Sequence, residues 1–290
     1  MIMRDDFAVF ILTHGRANNV ITAKTLKQQG YTGKWYIVID NEDDQEDEYR
    51  RVYGDRVLQF DKFAISKTFD TMDTQQDRRT IVYARNACFD LAKQVGVRFF
   101  LELDDDYTVF MNRYEENGKS KNYNYKNLDL VFEAMIDFLI DSNADTVAMA
   151  QGGDFIAGVK GGAFQKGILR KAMNTFFCDV EKPFQFLGRI NEDVNTYTRL
   201  GSTGWLGFTV TSLQMNQKQT QKNKGGMSTV YLDSGTYLKS FYSVMGMPSA
   251  VRIQEMGRTQ KRIHHAVEWE SCVPMILNEC YKKRSEMNGE

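Results

Sequence analysis

Three consecutive carboxylates, Asp104, Asp105 and Asp106, directly follow a short apolar run at residues 99–103. Burying an unpaired carboxylate is costly, so acids at the end of a buried strand require cations or water. Clustered oxygen ligands suit hard ions such as Mg²⁺ or Mn²⁺, which also bind the phosphates of nucleotides. Ligands of open α/β sheets bind at the carboxyl ends of the strands. The triplet therefore predicts a metal–diphosphate site with Asp104 and Asp106 as metal ligands; the alternative is a solvated acidic loop.

A second group of candidate ligands follows the first apolar run of the chain, which covers residues 7–12. Thr13, His14, Gly15 and Arg16 form the expected turn between this strand and a helix. Backbone N–H groups at such a turn bind phosphate or a base edge, and an arginine there can pair with a phosphate. The turn is therefore interpreted as part of a nucleotide site, with an ordinary strand-to-helix turn as the alternative.

Two further polar residues are expected beside this nucleotide site. Asp40 ends the second apolar run, at residues 35–39, where it can accept hydrogen bonds from a nucleobase or a ribose. Arg85 lies on the predicted helix at 81–95, which leads into the acidic strand, and is interpreted as a contact to the diphosphate or the base. A loop-starting aspartate and a surface ion pair are the respective alternatives.

A separate pair of acids, Glu192 and Asp193, follows the apolar run at 184–187 and Gly188. A carboxylate away from the metal ligands suits a general base, which must lie within hydrogen-bond reach of the group it deprotonates. We interpret Asp193 as this base and Glu192 as a residue that orients a substrate. Acids are also common in the first turns of helices.

The last candidates are His264 and His265, which are two of only three histidines in the chain. Histidine is a common ligand of divalent transition ions, and Mn²⁺ accepts mixed carboxylate and imidazole ligands. One of the pair is therefore a candidate ligand for the metal held by Asp106. The sequence does not choose between them.

Composition describes the protein that carries these residues. The chain has 290 residues, 42% hydrophobic and 12% aromatic, which is enough for a sizeable core. The four cysteines lack CxxC spacing, which disfavours a zinc site or a disulfide framework. No apolar run approaches the roughly 20 residues of a membrane span. These features predict a cytoplasmic enzyme with no membrane partner. The net charge of −1 is unlike that of a dedicated DNA-binding protein, although residues 215–265 are rich in Lys and Arg.

The pattern of elements predicts an α/β fold, because strands and helices alternate over the first hundred residues. We expect a mostly parallel, Rossmann-like sheet flanked by helices, with a smaller mixed region on the acceptor side. Residues 214–228 are expected to form a polar loop over the site, and residues 264–277 a final helix. A single domain is expected over residues 1–290, with a nucleotide-sugar half to about residue 110 and an acceptor half after it.

In order along the chain, these motifs resemble those of a GT-A glycosyltransferase. The matching features are the nucleotide-binding turn, the Asp-x-Asp at 104–106, the Glu-Asp at 192–193 and a late histidine. The resemblance implies a UDP-sugar donor, Mn²⁺ or Mg²⁺, and transfer of the sugar to a hydroxyl group. A sugar nucleotidyltransferase is an alternative, although it normally has a longer, glycine-rich loop after the first strand. A nucleic-acid-binding module without catalysis is another.

A narrower resemblance is carried by the segments FILTHGR, YARNACFDLA, FFLELDDDY, GRINEDVNTY, YLKSFYSVM and RIHHAVEW. They are similar to bacteriophage glycosyltransferases associated with TET-type oxygenases. This resemblance implies an acceptor hydroxymethyl group on a pyrimidine, as in 5-hydroxymethylcytosine of phage DNA, and protection of that DNA from host nucleases. Residues 215–265 would then contact phosphates, and Trp205 and Phe208 would stack on an exposed base. A glycan, protein or small-molecule acceptor is the alternative.

Overall fold

The computed structural model describes residues 3–74, 76–151, 160–161, 165, 175–218, 235, 237–257, 261–274 and 279–281. The strands in these ranges are β1 (Phe7–Leu12), β2 (Lys34–Asp40), β3 (Val57–Phe60), β4 (Phe99–Asp104), β5 (Tyr107–Glu116), β6 (Lys119–Asn124), β7 (Thr146–Gln151), β8 (Phe176–Asp179), β9 (Gly207–Gln217), β10 (Val251–Met256) and β11 (Arg262–Val267). The α-helices are α1 (Ile21–Gln28), α2 (Glu46–Tyr53), α3 (Lys62–Ser66), α4 (Val82–Gln94), α5 (Leu128–Ser142), α6 (Glu192–Ser202) and α7 (Leu238–Gly246). Among the described residues, no helix has both the length and the apolar character needed to cross a membrane.

Strands β1 to β9 form one sheet in the order β3-β2-β1-β4-β8-β7-β9-β5-β6. The first four strands of this order are parallel, as expected for a doubly wound α/β sheet. The remaining part is mixed, because β8 runs antiparallel to both β4 and β7, whereas β7 and β9 are parallel. The predicted fold class, a Rossmann-like parallel half with a mixed region, is therefore confirmed.

Strand β1 lies at the centre of the core, and all six of its residues are buried. Its side chains alternate between the two faces of the sheet, as the period of a strand requires. Phe7, Val9 and Ile11 pack on the face covered by α1 and α5, and Ala8 and Phe10 pack on the face covered by α4. A strand buried on both faces explains the continuous apolar run in the sequence.

The strand directions define two edges of the sheet. The parallel strands β1, β2 and β4 all end at one edge, which we call the catalytic edge and define by Leu12, Asp40 and Asp104. Because β7 and β9 run in the same direction as β4, Gln151 and Gln217 also lie at this edge. The starts of these two strands, at Thr146 and Gly207, lie at the opposite edge.

Two expectations for the later part of the chain are wrong. Residues 262–267 form β11 in a two-stranded antiparallel sheet with β10, and a short 3₁₀-helix follows at Trp269–Ser271, so the helix predicted at 264–277 does not form within the described residues. The cause is cross-strand pairing of RIHHAV with VRIQEM, which helical spacing alone could not reveal. The predicted loop at 214–228 begins too early, because Gln214–Gln217 completes β9 and Gln214 is buried. Residues 219–228 lie outside the described residues.

Gln29 connects the end of α1 to the β5–β6 hairpin. Its side-chain amide donates to the carbonyl oxygens of Phe110 (2.6 Å) and Tyr125 (2.8 Å) and accepts from the Phe110 amide at 2.7 Å. The next residue, Gly30, has φ +78°, and a Cβ there would lie 2.4 Å from the carbonyl oxygen of Lys126. The chain therefore turns tightly against the hairpin at this point.

We predict that Gln29→Ala lowers the free energy of unfolding by about 3 kcal/mol, since each buried backbone group left unsatisfied costs roughly 1–3 kcal/mol. Urea denaturation measures this change. The control is Gln28→Ala, which removes the same side chain from an exposed position one residue earlier. Equal losses in the two variants would contradict the role assigned to Gln29.

Candidate functional site

The turn that carries the acid triplet is fixed by the start of α1. The Thr22 hydroxyl donates to the carbonyl oxygen of Asp104 at 2.6 Å and accepts from the amide of Tyr107 at 2.9 Å. The Thr22 amide donates to the carbonyl oxygen of Asp105 at 3.1 Å. The three acids are therefore held at the catalytic edge by backbone contacts rather than forming a loose acidic loop.

The side chain of Asp105 points into the protein and is 4% exposed. Its carboxylate accepts from the Thr13 hydroxyl at 2.7 Å and from the Arg16 guanidinium at 2.8 Å. These contacts join the turn after β1 to the turn after β4. Asp104 and Asp106 remain partly exposed, so they are the two acids of the triplet that face the site.

Arg85, on α4, is the centre of a buried ion cluster. Its guanidinium lies 3.2 Å from Glu102, 3.1 Å from Asp104 and 3.1 Å from Glu192, measured between nitrogen and carboxylate oxygen. The rings of Phe176 and Phe186 lie over it, and its side chain is 1% exposed. Arg85 therefore joins β4 to the start of α6, and we assign it to positioning these acids rather than to the diphosphate contact expected from the sequence.

One arginine does not balance the acids around it. Burial raises the pKa of Glu102 to about 8 and that of Asp104 to about 7, although the charge of Arg85 opposes both shifts. Burial, followed by the charge of Asp105, raises the pKa of Asp106 to about 6. Burial thus disfavours the ionised forms of Asp104 and Asp106, which a nearby cation would stabilise. Their oxygen donors fit a hard divalent cation.

We predict that Arg85→Met lowers the free energy of unfolding by about 3–5 kcal/mol, because it leaves buried charges without a partner. The loss is expected to be larger at pH 8 than at pH 6. These acids have pKa values raised in the folded state, so the folded protein loses stability relative to the unfolded chain as pH rises. Urea denaturation at the two pH values measures both effects.

The control for this prediction is Arg50→Met, which removes an exposed arginine paired with Glu46 on α2. Its effect is expected to stay below about 1 kcal/mol, as for other surface ion pairs. If the two arginine variants lose equal stability, Arg85 does not hold the acid cluster together.

The turn after β1 is bound to α2 through its own backbone. The amides of Gly15, Arg16 and Ala17 donate to side chains of α2 and the preceding loop, at 2.8 Å to Asp43, 2.8 Å to Tyr49 and 3.0 Å to Gln45, respectively. The expectation that amides of this turn bind a phosphate is therefore wrong for these three. The groups that this turn offers to a ligand are side chains, chiefly the imidazole of His14, which is 39% exposed.

Asp40 is buried in a charged triad at the end of β2. Its Oδ2 lies 2.9 Å from Nδ1 of His14 and 3.0 Å from Nζ of Lys62, and its Oδ1 accepts from the amide of Glu42 at 3.0 Å. Asp40 is 4% exposed, so its carboxylate holds the His14 ring from the protein interior. This geometry replaces the direct base or ribose contact expected of Asp40 from the sequence.

The same triad shifts two titrations. The hydrogen bond that His14 donates to Asp40 raises the pKa of His14 above its usual 6.5. Burial alone would raise the pKa of Asp40, but the hydrogen bond and charge of His14 and the charge of Lys62 together lower it. The stabilisation that the pair contributes is therefore complete between the ordinary pKa values of aspartate, 3.8, and histidine, 6.5; it is lost at lower pH as Asp40 is protonated and at higher pH as pH rises through the raised pKa of His14.

We predict that the His14 ring titrates in an NMR pH series with a midpoint above 6.5, and that Asp40→Asn lowers this midpoint. The chain has only three histidines, so His14→Gln assigns the signal directly. The signals of His264 and His265, which lie on β11, serve as the internal control and are expected to keep their midpoints. A His14 midpoint at or below 6.5 in the wild-type protein would rule out the pair.

The second acid pair begins α6 and faces the triplet. Glu192 is 7% exposed and binds Arg85, and burial raises its pKa. Asp193 is half-buried, and its Oδ1 accepts from the Val194 amide at 2.8 Å. The charge of Asp193 contributes to the raised pKa of Asp104, so the structure brings the two predicted carboxylate groups together.

The loop that presents this pair is held by polar residues that sequence analysis did not identify. The Asn195 side-chain amide donates to the carbonyl oxygens of Leu187 (3.2 Å) and Ile190 (3.0 Å). Arg189 is 1% exposed and binds Asp73 at 2.7 Å and the Tyr242 hydroxyl at 3.0 Å. Because Arg189 lies shortly before Glu192 and Asp193, the sequence could have suggested that it supports this acid pair. Nothing in the sequence indicates that Asp73 or Tyr242 is its partner.

Trp205 and Phe208 do not lie at the catalytic edge. Phe208 starts β9 beside Val147 of β7, and Trp205 immediately precedes that strand, so both belong to the opposite edge. Trp205 packs edge-on against Phe184 with ring centroids 5.3 Å apart, and Phe208 lies against Phe138 of α5 at 5.5 Å. The prediction that they stack on an acceptor base at the reaction site is therefore wrong.

His264 and His265 lie on the β10–β11 ribbon. This ribbon packs on α7, and α7 packs on α6, which begins with Glu192 and Asp193. Nδ1 of His264 donates to the carbonyl oxygen of His265 at 2.8 Å. Within the described ranges, no group of three or more His, Cys, Asp and Glu side chains is arranged to hold a metal. A metal at Asp104 and Asp106 would therefore need ligands from a bound substrate or water, as is usual for Mg²⁺.

A doubly wound sheet with an acid triplet at the end of β4 and an acid pair facing it defines a GT-A-type glycosyltransferase. The chain belongs to the TET-associated glycosyltransferase family, whose sequence model matches residues 7–226. The expected resemblance to TET-associated glycosyltransferases is thereby confirmed, and the protein is a glycosyltransferase.

Among solved structures, the chain is similar to glucosyl-3-phosphoglycerate synthase from Mycobacterium tuberculosis. The complex of that enzyme with Mn²⁺, UDP and phosphoglyceric acid has 11% identity and a TM-score of 0.44, covering 93% of this chain and 88% of that one. Its complex with Mg²⁺ and UDP has 11% identity and a TM-score of 0.42, covering 90% and 87%. No curated protein matches the chain.

Proposed function

We propose that this glycosyltransferase moves a sugar from a UDP-sugar, with Mn²⁺ or Mg²⁺, to the hydroxymethyl group of a modified pyrimidine in DNA. The observation that carries the proposal is the meeting of two carboxylate groups around Arg85, one at the end of β4 and one at the start of α6. We assign the nucleotide-sugar to the half of the chain up to about residue 110 and the acceptor to the half after it.

In this proposal Asp104 and Asp106 hold the cation at the catalytic edge. Burial and the neighbouring carboxylates raise their pKa values, and a divalent ion bound to a diphosphate would favour their ionised forms. When bound, Mn²⁺ or Mg²⁺ neutralises charge that develops on the diphosphate leaving group. Arg16 contributes to the donor site indirectly, by fixing Asp105, and His14 faces the donor from the turn after β1.

Of the two histidines, His264 is the one that we propose as a further metal ligand beside Asp106, in an arrangement that is not preformed among the described residues. A carbonyl oxygen can only accept a hydrogen bond, so the contact to His265 requires that Nδ1 of His264 carries the proton. Nε2 of His264 then has the lone pair that a metal needs. A ligating histidine generally donates its other ring N–H to a carbonyl or carboxylate in this way.

Asp193 is the proposed general base. It takes the proton of the acceptor hydroxyl, the oxygen forms a bond to the anomeric carbon of the sugar, and the bond from that carbon to the diphosphate breaks as UDP leaves with the electron pair. Direct displacement of this kind inverts the anomeric carbon. Glu192, held by Arg85, fixes the start of α6 and hence the position of Asp193.

The acceptor is supported by the family description, TET-associated glycosyltransferase, together with the resemblance of the sequence motifs, which implies a hydroxymethylated pyrimidine. A DNA acceptor places the enzyme in the cytoplasm that holds this DNA, which is the host cytoplasm for a phage. There the added sugars would shield the DNA from host nucleases.

A sugar nucleotidyltransferase is disfavoured by the turn after β1. Such an enzyme needs a loop that cradles the phosphates of a nucleoside triphosphate with backbone amides. Here the amides of Gly15, Arg16 and Ala17 are already bound to side chains.

The test of the proposal is the release of UDP from a panel of UDP-sugars with Mn²⁺. Each donor is incubated with an oligonucleotide containing 5-hydroxymethylcytosine, with the same oligonucleotide containing cytosine, and without acceptor. Stimulation by the hydroxymethylated strand alone, with a matching gain in oligonucleotide mass, is the expected result. Release without that stimulation would overturn the DNA acceptor, and no release from any donor would overturn the UDP-sugar.

We predict that Asp193→Asn lowers kcat about 10²- to 10⁴-fold, as expected on loss of a general base. The Kd for UDP with Mn²⁺ is expected to stay near the wild-type value, because the base contacts the acceptor. Isothermal titration and the UDP-release assay measure the two quantities. Asp141→Asn, on the exposed surface of α5, is the matched control and keeps full activity. Unchanged kcat in Asp193→Asn would remove this residue from the mechanism.

A further inference from the structure

The β5–β6 hairpin has two faces of different chemistry. Cross-strand partners share a face, and the register pairs Tyr114 with Lys121 and Asn112 with Tyr123. Since alternate residues of a strand point the same way, Lys119 and Tyr125 belong to this face too. The other face of β6 carries only Ser120, Asn122 and Asn124. On β6, aromatic and basic side chains are thus confined to one face, which we call the tyrosine face; β5 adds Glu116 to this face and places Arg113 on the other.

The rings on the tyrosine face form a row that is open to solvent. Tyr114 is 39% exposed and Tyr123 52% exposed. Their ring centroids are 5.9 Å apart, and those of Tyr123 and Tyr125 are 5.7 Å apart. The Tyr125 hydroxyl donates to Asn112 at 3.1 Å, which fixes one end of the row. Tyr125 packs against the hydrophobic core, whereas Tyr114 and Tyr123 lie outside it on the surface.

Basic side chains continue the row on β6. Lys119 and Lys121 are both exposed, and Lys121 is paired with Glu116 across the hairpin. Flat rings next to lysines match single-stranded nucleic acid, because each base offers a π-face for stacking and each phosphate an anion for lysine. A duplex keeps its base faces stacked on one another, so it cannot use the rings in this way.

From these observations we infer that the tyrosine face is a binding surface for single-stranded nucleic acid. The inference deepens the proposed function and rests on it for the identity of the polymer as the acceptor. Tyr114 lies seven residues along β5 from Tyr107, next to the acid triplet, which corresponds to roughly 23 Å. About seven nucleotides cover this distance at 3.4 Å each. A polymer could therefore contact both places, whereas a small acceptor could not.

The test is fluorescence anisotropy of a labelled, unmodified oligothymidylate titrated with the full chain, without donor or metal. Tyr114→Ala and Tyr123→Ala are each expected to raise Kd at least about fivefold, the lower end of the loss seen when one stacking ring is removed. Ser120→Ala and Asn122→Ala, on the other face of the same strand, are matched controls and are expected to leave Kd unchanged.

Conservative variants separate stacking from folding. Tyr123→Phe keeps a flat ring and is expected to bind normally, whereas Tyr123→Leu keeps apolar bulk without a ring and is expected to bind weakly. Lys119→Gln is expected to reduce the slope of log Kd against log salt by about 0.7, the value for one phosphate contact on a single strand. Three results would overturn the inference. The Phe and Leu variants of Tyr123 could bind equally well, variants on the two faces of the hairpin could lose affinity equally, or the protein could bind a duplex more tightly than the single strand.

Release of UDP from a UDP-sugar without acceptor is measured for every variant, and is expected to be unchanged because the hairpin does not contact the donor. If the wild-type protein binds the oligonucleotide through the tyrosine face but does not glycosylate hydroxymethylated DNA, the surface stands and the proposed acceptor fails. If it glycosylates this DNA while the tyrosine variants keep wild-type Kd and KM for the strand, the acceptor stands and the surface fails.

Discussion

The site depends on one buried arginine that is surrounded by more negative charge than it can neutralise. Arg85 contacts Glu102, Asp104 and Glu192, which come from a strand and a helix far apart in the sequence. Its planar guanidinium can bind several carboxylates at once, which a lysine could not do with comparable geometry. The excess charge then makes the partly exposed end of the cluster, at Asp104 and Asp106, attractive to a cation. Structural order and ligand affinity thus have the same electrostatic origin.

A second network gives the donor side its rigidity. Asp43, Tyr49 and Gln45 bind the backbone of the turn after β1, and Asp105 binds its side chains. With these groups engaged, the turn exposes the imidazole of His14, which Asp40 supports. The proposed donor side is therefore built from side chains placed on a fixed backbone, rather than from an open phosphate-binding loop.

The sequence identified the candidate site residues more accurately than the residues that contact them. Apolar runs indicated the ends of β1, β2 and β4, so Asp40 and the acid triplet were placed at one edge, whereas the helix that begins at Glu192 was not predicted. The Arg85 contacts span up to 107 residues, and local patterns carry no signal for them. Trp205 and Phe208 were misplaced because their edge depends on the antiparallel insertion of β8, which sets the direction of β7 and β9. The ribbon at β11 was misread as a helix because its partner strand decides its conformation.

Asp105, the middle acid of the triplet, is constrained differently from its neighbours Asp104 and Asp106. Asp105 joins two turns, because its carboxylate oxygens lie 2.7 Å from the Thr13 hydroxyl and 2.8 Å from the Arg16 guanidinium. A glutamate there would be one methylene too long for both contacts and would separate the turns that it now joins. The length of the side chain at this position is thus limited by the spacing of two loops, whereas Asp104 and Asp106 face the site. An acidic run that looks uniform in sequence therefore contains residues under two different physical constraints.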